Sequence, residues 1–496
     1  MRSPIAKISL LGLAGIALLT GCPDRTISEV TPAQVRVEAK SFPINLNRDV
    51  DILFVIDNSA SMADKQQNLK DNFPNFINVL NTIQGGLPDV HIGVINSDVG
   101  TKGEDDAAPG TAVGMVGSGG CANTGGATGG GNLVVNGAPV TGTFLSDIKL
   151  GDGSRQKNYT GDLATVFSQM AGVGDGGCGF EQHLHAMRRA LDNNPVNAGF
   201  LRPDAFLAVI FLADEDDCSM AHSTLLGPDG GALGPQQSFR CTRFGVKCDI
   251  KGTNDTEMNS VSAALNPKSQ CHPDDASAHL QTVSKYVTFL KGLKDDPKKV
   301  IVAGILGTTD PFIVETRTIN STAQPALAHS CTYIGPVTPS NPTGAQNADP
   351  PIRLKFFLDQ FPDRSTVTSI CQPDLSGGLQ LIGELLKQSL GDPCISGDIA
   401  DTDPDTAGLQ AECSVSYISN FGKANAVETI LSECDAALGN KPCWHLVKDE
   451  VLCPCAMSDT SCDPADANEN LILKIEDAVA QPDGTQVVAG CVTEVN

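Results

Sequence analysis

The segment Asp51-Ile52-Leu53-Phe54-Val55-Ile56-Asp57-Asn58-Ser59-Ala60-Ser61-Met62 constrains this chain more than any other. A continuous apolar run, Ile52–Ile56, stops abruptly at an aspartate. Such a run reads as a strand buried on both faces, the kind found inside parallel sheets covered by helices. Asp57, Ser59 and Ser61 then fall on the turn at its C-terminal end, ahead of a helical pattern. One carboxylate and two hydroxyls converging on one point make a hard oxygen cage suited to Mg²⁺, Mn²⁺ or Ca²⁺. The competing reading is a Ser/Asp cap on the helix that follows.

The rest of the chain repeats this alternation. Val90–Ile95, Ala205–Ala213, Val300–Leu306 and Thr366–Ile370 read as strands. Between and after them, helical spacing marks Met62–Gln84, Asp162–Met170, Phe180–Leu191, Leu280–Leu290, Leu354–Phe361 and Leu379–Leu390. Pro74 is expected to kink or split the first helix, and Asn132–Thr141 to hold a hairpin strand. The pattern predicts an α/β fold over 49–391: a doubly wound, mainly parallel, Rossmann-like sheet with right-handed crossovers. Long polar insertions near 99–157, 215–275 and 308–351 follow strand C-termini. Loops there gather at the ligand-binding edge of such a sheet, so they would form a lid or recognition surface.

Asp57-x-Ser59-x-Ser61 after an apolar strand resembles the metal-ion-dependent adhesion site (MIDAS) of von Willebrand factor type A (VWA) domains. The resemblance implies that these three residues hold a divalent cation, Mg²⁺ first and Mn²⁺ or Ca²⁺ as alternatives. It gives the family's second aspartate to Asp214, in Ala213-Asp214-Glu215, and leaves the open position to an acidic residue of a partner macromolecule. The family's threonine slot falls in Gly176-Gly177-Cys178-Gly179-Phe180-Glu181, where Cys178 stands in its place. A disulfide-bonded cysteine is a poor ligand for a hard ion, so Glu181 or water would complete the shell. Glu215, Asp216 and Asp217 read as a solvated acidic loop, with a second cation, calcium, as the alternative.

Residues 1–21 carry Arg2, Lys7 and an apolar stretch, Ile8–Leu19, as in an export signal. Leu19-Thr20-Gly21-Cys22 resembles a bacterial lipobox, which implies lipidation of Cys22 and membrane attachment, with the outer membrane favoured. Residues 22–48 then read as a tether. Removing Cys22 from the 17 cysteines leaves an even set, which after an export signal favours disulfides. Cys178 is expected to bond Cys218, with Cys121 an equally good partner, and Cys241 to bond Cys248. Residues 392–496 read as a small Cys-rich β domain stapled by disulfides. Its strands Asn470–Ile475 and Thr485–Val492 are expected to pair around a turn at Pro482-Asp483-Gly484, with Trp444 anchoring the core.

The formal charge of −24 comes with no basic patch, which argues against nucleic-acid binding. No HExxH pair, GxSxG elbow or P-loop supports an enzyme. His183 and His185, two apart on a helix, are expected on different faces and, like the other histidines, at the surface. The sequence therefore reads as a lipid-anchored envelope protein, not an enzyme, that binds a macromolecule through a cation in adhesion or scaffolding. The rivals are a structural envelope protein that has lost the metal and a metal-dependent hydrolase.

Overall fold

The computed structural model describes residues 38–44 and 48–493, with interruptions of which 122–128, 391–398, 420–424, 449–470 and 477–485 are the longest. The leader, the Cys22 site, most of the tether and the turn at 482–484 lie outside the described residues.

One sheet carries strands β2 (Asp49–Ile56), β3 (Asp89–Asn96), β4 (Leu145–Lys149), β5 (Arg155–Lys157), β6 (Phe206–Leu212), β7 (Val300–Leu306) and β8 (Ser365–Ser369). Their order is β8-β7-β6-β2-β3-β4-β5. The five strands from β8 to β3 are parallel, and β4 and β5 add antiparallel at the far edge. Every residue of β6 and β7 is buried, whereas the outermost strand, Arg155-Gln156-Lys157, is polar and largely exposed. Central strands shielded on both faces tolerate only apolar runs; an edge strand must meet water.

Side chains alternate across the sheet. Ile52, Phe54 and Ile56 face a layer built from α1 (Ala63–Asn81), α2 (Leu163–Met170) and α6 (Ser376–Leu390). Leu53 and Val55 face α3 (His183–Leu191), α4 (Val283–Lys291) and α5 (Ile352–Asp359). Helix α1 runs through Pro74 without dividing. Residues 132–141 form no strand. Val134 N–H reaches Val94 O at 2.9 Å, but Asn136 and Gly137 have positive φ and turn the chain away. The hairpin of this region is β4–β5 instead.

The chain reverses direction of travel through the sheet at β2, with β3 on one side and β6 on the other. Such a switch point opens a crevice beyond the strand C-termini. Asp57 follows β2 and Asp214 follows β6, so the two aspartates flank it.

A second, six-stranded sheet has β1 (Glu38–Ile44), β9 (Cys413–Ser419), β10 (Val427–Glu433), β11 (Cys443–Lys448), β12 (Leu471–Glu476) and β13 (Gln486–Thr493), ordered β1-β13-β9-β10-β11-β12. The C-terminal region is β-rich as expected, but β12 and β13 do not pair with each other: β12 pairs with β11, and β13 with β9 and β1. Residues 38–44, read from sequence as tether, thus supply an edge strand. Trp444 lies in the core of this sheet and donates to Leu431 O at 3.1 Å.

Six disulfides are formed among the described residues: Cys121–Cys178, Cys218–Cys241, Cys248–Cys271, Cys331–Cys371, Cys413–Cys491 and Cys434–Cys443. The expected Cys178–Cys218 and Cys241–Cys248 pairs are not formed. Cys178 takes Cys121, the alternative, and Cys248 sits directly opposite Cys271 in the Val246–Ile250 and Ser269–Pro273 ladder, leaving Cys241 for Cys218. So many disulfides belong to an oxidising compartment, which marks an extracellular or envelope protein. No helix among the described residues is long and apolar enough to cross a membrane.

Candidate functional site

The turn after β2 is built by its own side chains. Asp57 N–H donates to Leu212 O across the switch point at 2.9 Å, pinning the end of β2 to β6. Asp57 Oδ1 accepts Ser59 N–H at 2.7 Å, an Asx turn that leaves Oδ2 pointing elsewhere. The chain then makes one 3₁₀ turn, Ala60–Met62, and enters α1. Neither helix start carries a side-chain cap, so the helix-cap reading of Ser59 and Ser61 fails. Their hydroxyls lie 3.1 Å apart instead. Gln66, one turn into α1, fastens the loop by donating to Asp57 O and Gly174 O.

A second loop closes on the first. Gly177 N–H donates to Asn58 O at 2.9 Å. A Cβ on Gly177 would stand 2.3 Å from Asn58 Oδ1, so any larger residue would have to displace the Asn58 amide. Cys178, in the family's threonine slot, has its sulfur bonded to Cys121. It ties the glycine-rich insertion to the site and offers no ligand.

Asp57, Asp214 and Glu181 are all buried, at 0%, 3% and 1% exposure. Each has one buried carboxylate oxygen without a hydrogen-bond donor among the described residues: Asp57 Oδ2, Asp214 Oδ1 and Glu181 Oε1. An ionised carboxylate in that state is costly, by several kcal/mol, unless a cation or proton compensates. Burial raises the Glu181 carboxyl well above its usual range, and the charges of Glu215 and Asp57 raise it further. Burial likewise raises Asp214; Lys65 opposes the shift, Asp57 adds to it, and the Ser61 hydroxyl draws it back down. Asp57, Ser61, Asp214 and Glu181 thus act on one another electrostatically.

A lysine and a histidine approach this cluster, and neither was expected. Lys65 Nζ lies 2.8 Å from Asp214 Oδ2 and donates to Ser61 O at 2.9 Å. His183, fully buried, places Nε2 3.5 Å from Asp57 Oδ2. Burial alone would lower the His183 pKa, but Asp57 and the more distant Asp217 and Asp216 raise it on balance. His185 is buried too and faces Gln182 Oε1 at 3.1 Å, so neither histidine is at the surface. The signal for His183 was its place two residues after Glu181, at the start of a helix whose N-terminus abuts the turn.

The residues after Asp214 are not a solvated loop. Asp216 accepts Arg353 and Leu354 N–H groups at the start of α5, and Asp217 pairs with the buried Arg353 and accepts Leu184 N–H from α3. These carboxylates position helices. Glu215 instead turns toward a cavity of about 370 Å³. Burial raises its pKa well above normal, and Asp349 and Asp214 raise it further. Ser61, Lys65, Glu181 and Asp214 form part of the cavity wall; Phe239, Arg317, His329 and Asn347, from the two later insertions, complete it.

The donor set is carboxylate and hydroxyl oxygen, which fits a divalent cation. Among the described residues no three carboxylate, imidazole or thiolate groups enclose a point by themselves, so Ser59 and Ser61 are needed to complete a shell.

No family model matches this chain, and no curated protein matches it. Among solved structures it is similar to the pilus adhesin SpaC from Lactobacillus rhamnosus GG in its open conformation, with a TM-score of 0.28 and 9% identity over 92% of this chain and 42% of that one. It is also similar to the pilus adhesin RrgA from Streptococcus pneumoniae, with a TM-score of 0.23 and 8% identity over 92% of this chain and 58% of that one. The chain therefore spans about half the length of these two adhesins, and similarity this slight carries no argument about its fold or function.

Proposed function

We propose that this is a cation-dependent binding protein of the cell envelope, in which a VWA-like sheet presents a MIDAS-like site to a macromolecular partner, and that it is not an enzyme. The observation that carries the reading is the trio of buried, undonated oxygens on Asp57, Asp214 and Glu181 at the switch point. Asp57, Ser59 and Ser61 would hold the ion, with Asp214 and Glu181 direct or water-linked. An acidic group of the partner would enter through the cavity beside Ser61. Lipidation at Cys22 would hold the chain at a membrane, with the outer membrane favoured.

Thermal unfolding with chelator and with each of Mg²⁺, Mn²⁺ and Ca²⁺ tests the site. Stabilisation by at least one ion, lost in Asp57→Ala, is expected, together with ion-dependent retention on isolated envelopes. A midpoint indifferent to every ion would favour a structural protein without the metal.

A further inference from the structure

We propose that the cavity beside the switch point takes an organic cation, an alkylguanidinium or alkylammonium group, with Glu215 as its counter-ion. The inference goes beyond the divalent-ion reading and does not rest on it, because Asp57 and Ser59 are not part of the cavity wall.

The cavity holds about 370 Å³, within the roughly 300–1,000 Å³ of small-molecule sites. Its wall carries six carboxyl groups (Asp64, Glu181, Asp214, Glu215, Asp216 and Asp349) against Lys65, Arg317 and His329. The basic side chains are already engaged. Lys65 serves Asp214 Oδ2 and Ser61 O, Arg317 serves Glu315 Oε1 and Leu327 O, and His329 Nδ1 lies 2.7 Å from Asp349 Oδ1. The carboxyl groups are not all matched in return. Glu181 Oε1 and Asp214 Oδ1 have no donor among the described residues, and the two residues are only 1% and 3% exposed. Glu215 receives the Ser238 hydroxyl, and the charges that act on it most, Asp349, Asp214 and Asp57, are all negative. An anion entering this space would be repelled, and a neutral guest would leave the carboxylates without a counter-charge. An organic cation brings both the charge and the N–H donors they lack. Phe239, Pro325 and Leu327 line the same space. They offer an apolar surface to an alkyl stem, and the Phe239 ring offers a face to a guanidinium plane.

The experiment keeps the exported protein in chelator, so that no divalent ion contributes, and follows binding by calorimetry. Butylguanidinium, butylammonium and the uncharged butylurea are titrated into the wild type, Glu215→Gln and Phe239→Ala. At least one of the two cations is expected to bind about tenfold or more tighter than butylurea, and to lose about tenfold or more in Glu215→Gln. Phe239→Ala is expected to weaken the cation by a smaller factor. Butylurea binding as tightly as both cations, or a cation affinity unchanged in Glu215→Gln, overturns the proposal, as does a wild type that binds none of the three. Arginine capped at both its amino and carboxyl groups separates the sources. Binding at least as tight as that of butylguanidinium assigns the cavity to a basic side chain of a protein partner, and exclusion of the capped residue assigns it to a free cation. If Glu215→Gln does not fold, the contrast between cation and urea on the wild type decides, together with its loss at high salt. A wild type that binds the organic cation yet gains nothing from Mg²⁺, Mn²⁺ or Ca²⁺ would leave this inference standing without the ion reading.

Discussion

Lys65 Nζ lies 2.8 Å from Asp214 Oδ2, with both side chains almost wholly withdrawn from solvent. The first turn of α1 thus delivers a fixed positive charge to the second aspartate of the proposed ion site. An incoming divalent ion works against that ammonium, while the same ammonium offsets the repulsion among Asp57, Asp214 and Glu181 when no ion is present. Lys65→Met is therefore expected to destabilise the chelated protein by about 3 kcal/mol, as for other broken buried pairs. It is also expected to enlarge the stabilisation that an added divalent ion gives. Thermal midpoints with and without ion check both signs.

Asp57 Oδ1 accepts from Ser59 N–H while Oδ2 has no donor. An asparagine retains an oxygen for the turn and removes the charge. Asp57→Asn is expected to leave the chelated protein at least as stable as wild type. It is also expected to lose the ion-induced gain, which is about 2.7 kcal/mol when ion exceeds Kd a hundredfold. Paired denaturant titrations measure each.

Cys121–Cys178 closes a chain separation of 57 residues and ends one residue from Gly177, whose N–H holds Asn58 O. Replacing both cysteines by serine is expected to cost about 4 kcal/mol through the freed loop. Loosening the Asn58 contact should also weaken ion binding. The same serine pair at Cys434 and Cys443, in the other sheet, should leave ion binding unchanged.

At the opposite edge of the sheet, Lys294 is buried with Nζ 3.9 Å from Asp51 Oδ2 and donates to Arg202 O at 2.5 Å. Burial lowers its pKa from 10.5 to about 8, although Asp51 opposes the shift. Between pH 8 and 10.5 the unfolded chain keeps a proton that the folded chain has released, so stability rises with pH across that window. Below it, both states are protonated and the burial penalty is fully present. The wild type is expected to gain about 3 kcal/mol over that range relative to Lys294→Met, measured by urea unfolding at each pH.

The elements legible in the sequence were those whose residues state their own environment. Val300–Leu306 is a strand with the bounds that its apolar run predicts, and Ile52–Ile56 could only be interior. Asp57 stood out because a carboxylate at the end of such a run demands a reason. Asn132–Thr141 misled because its apolar residues pack as a loop around the positive-φ turn at Asn136 and Gly137, which periodicity does not register. Asp216 and Asp217 looked solvated because their partners, Arg353 and the start of α5, lie more than 130 residues away.

By itself, then, the sequence determined the alternation of strands and helices, the oxygen-rich turn after β2 and the cysteine-rich character of the chain. These follow from local periodicity, turn chemistry and composition, which need no knowledge of distant neighbours. Only the tertiary structure decided which cysteines join, that residues 38–44 complete the second sheet, and that Lys65 and His183 stand against Asp214 and Asp57. Those outcomes depend on which segments the packed sheet places within a few ångströms of one another, and a linear pattern does not carry that distance.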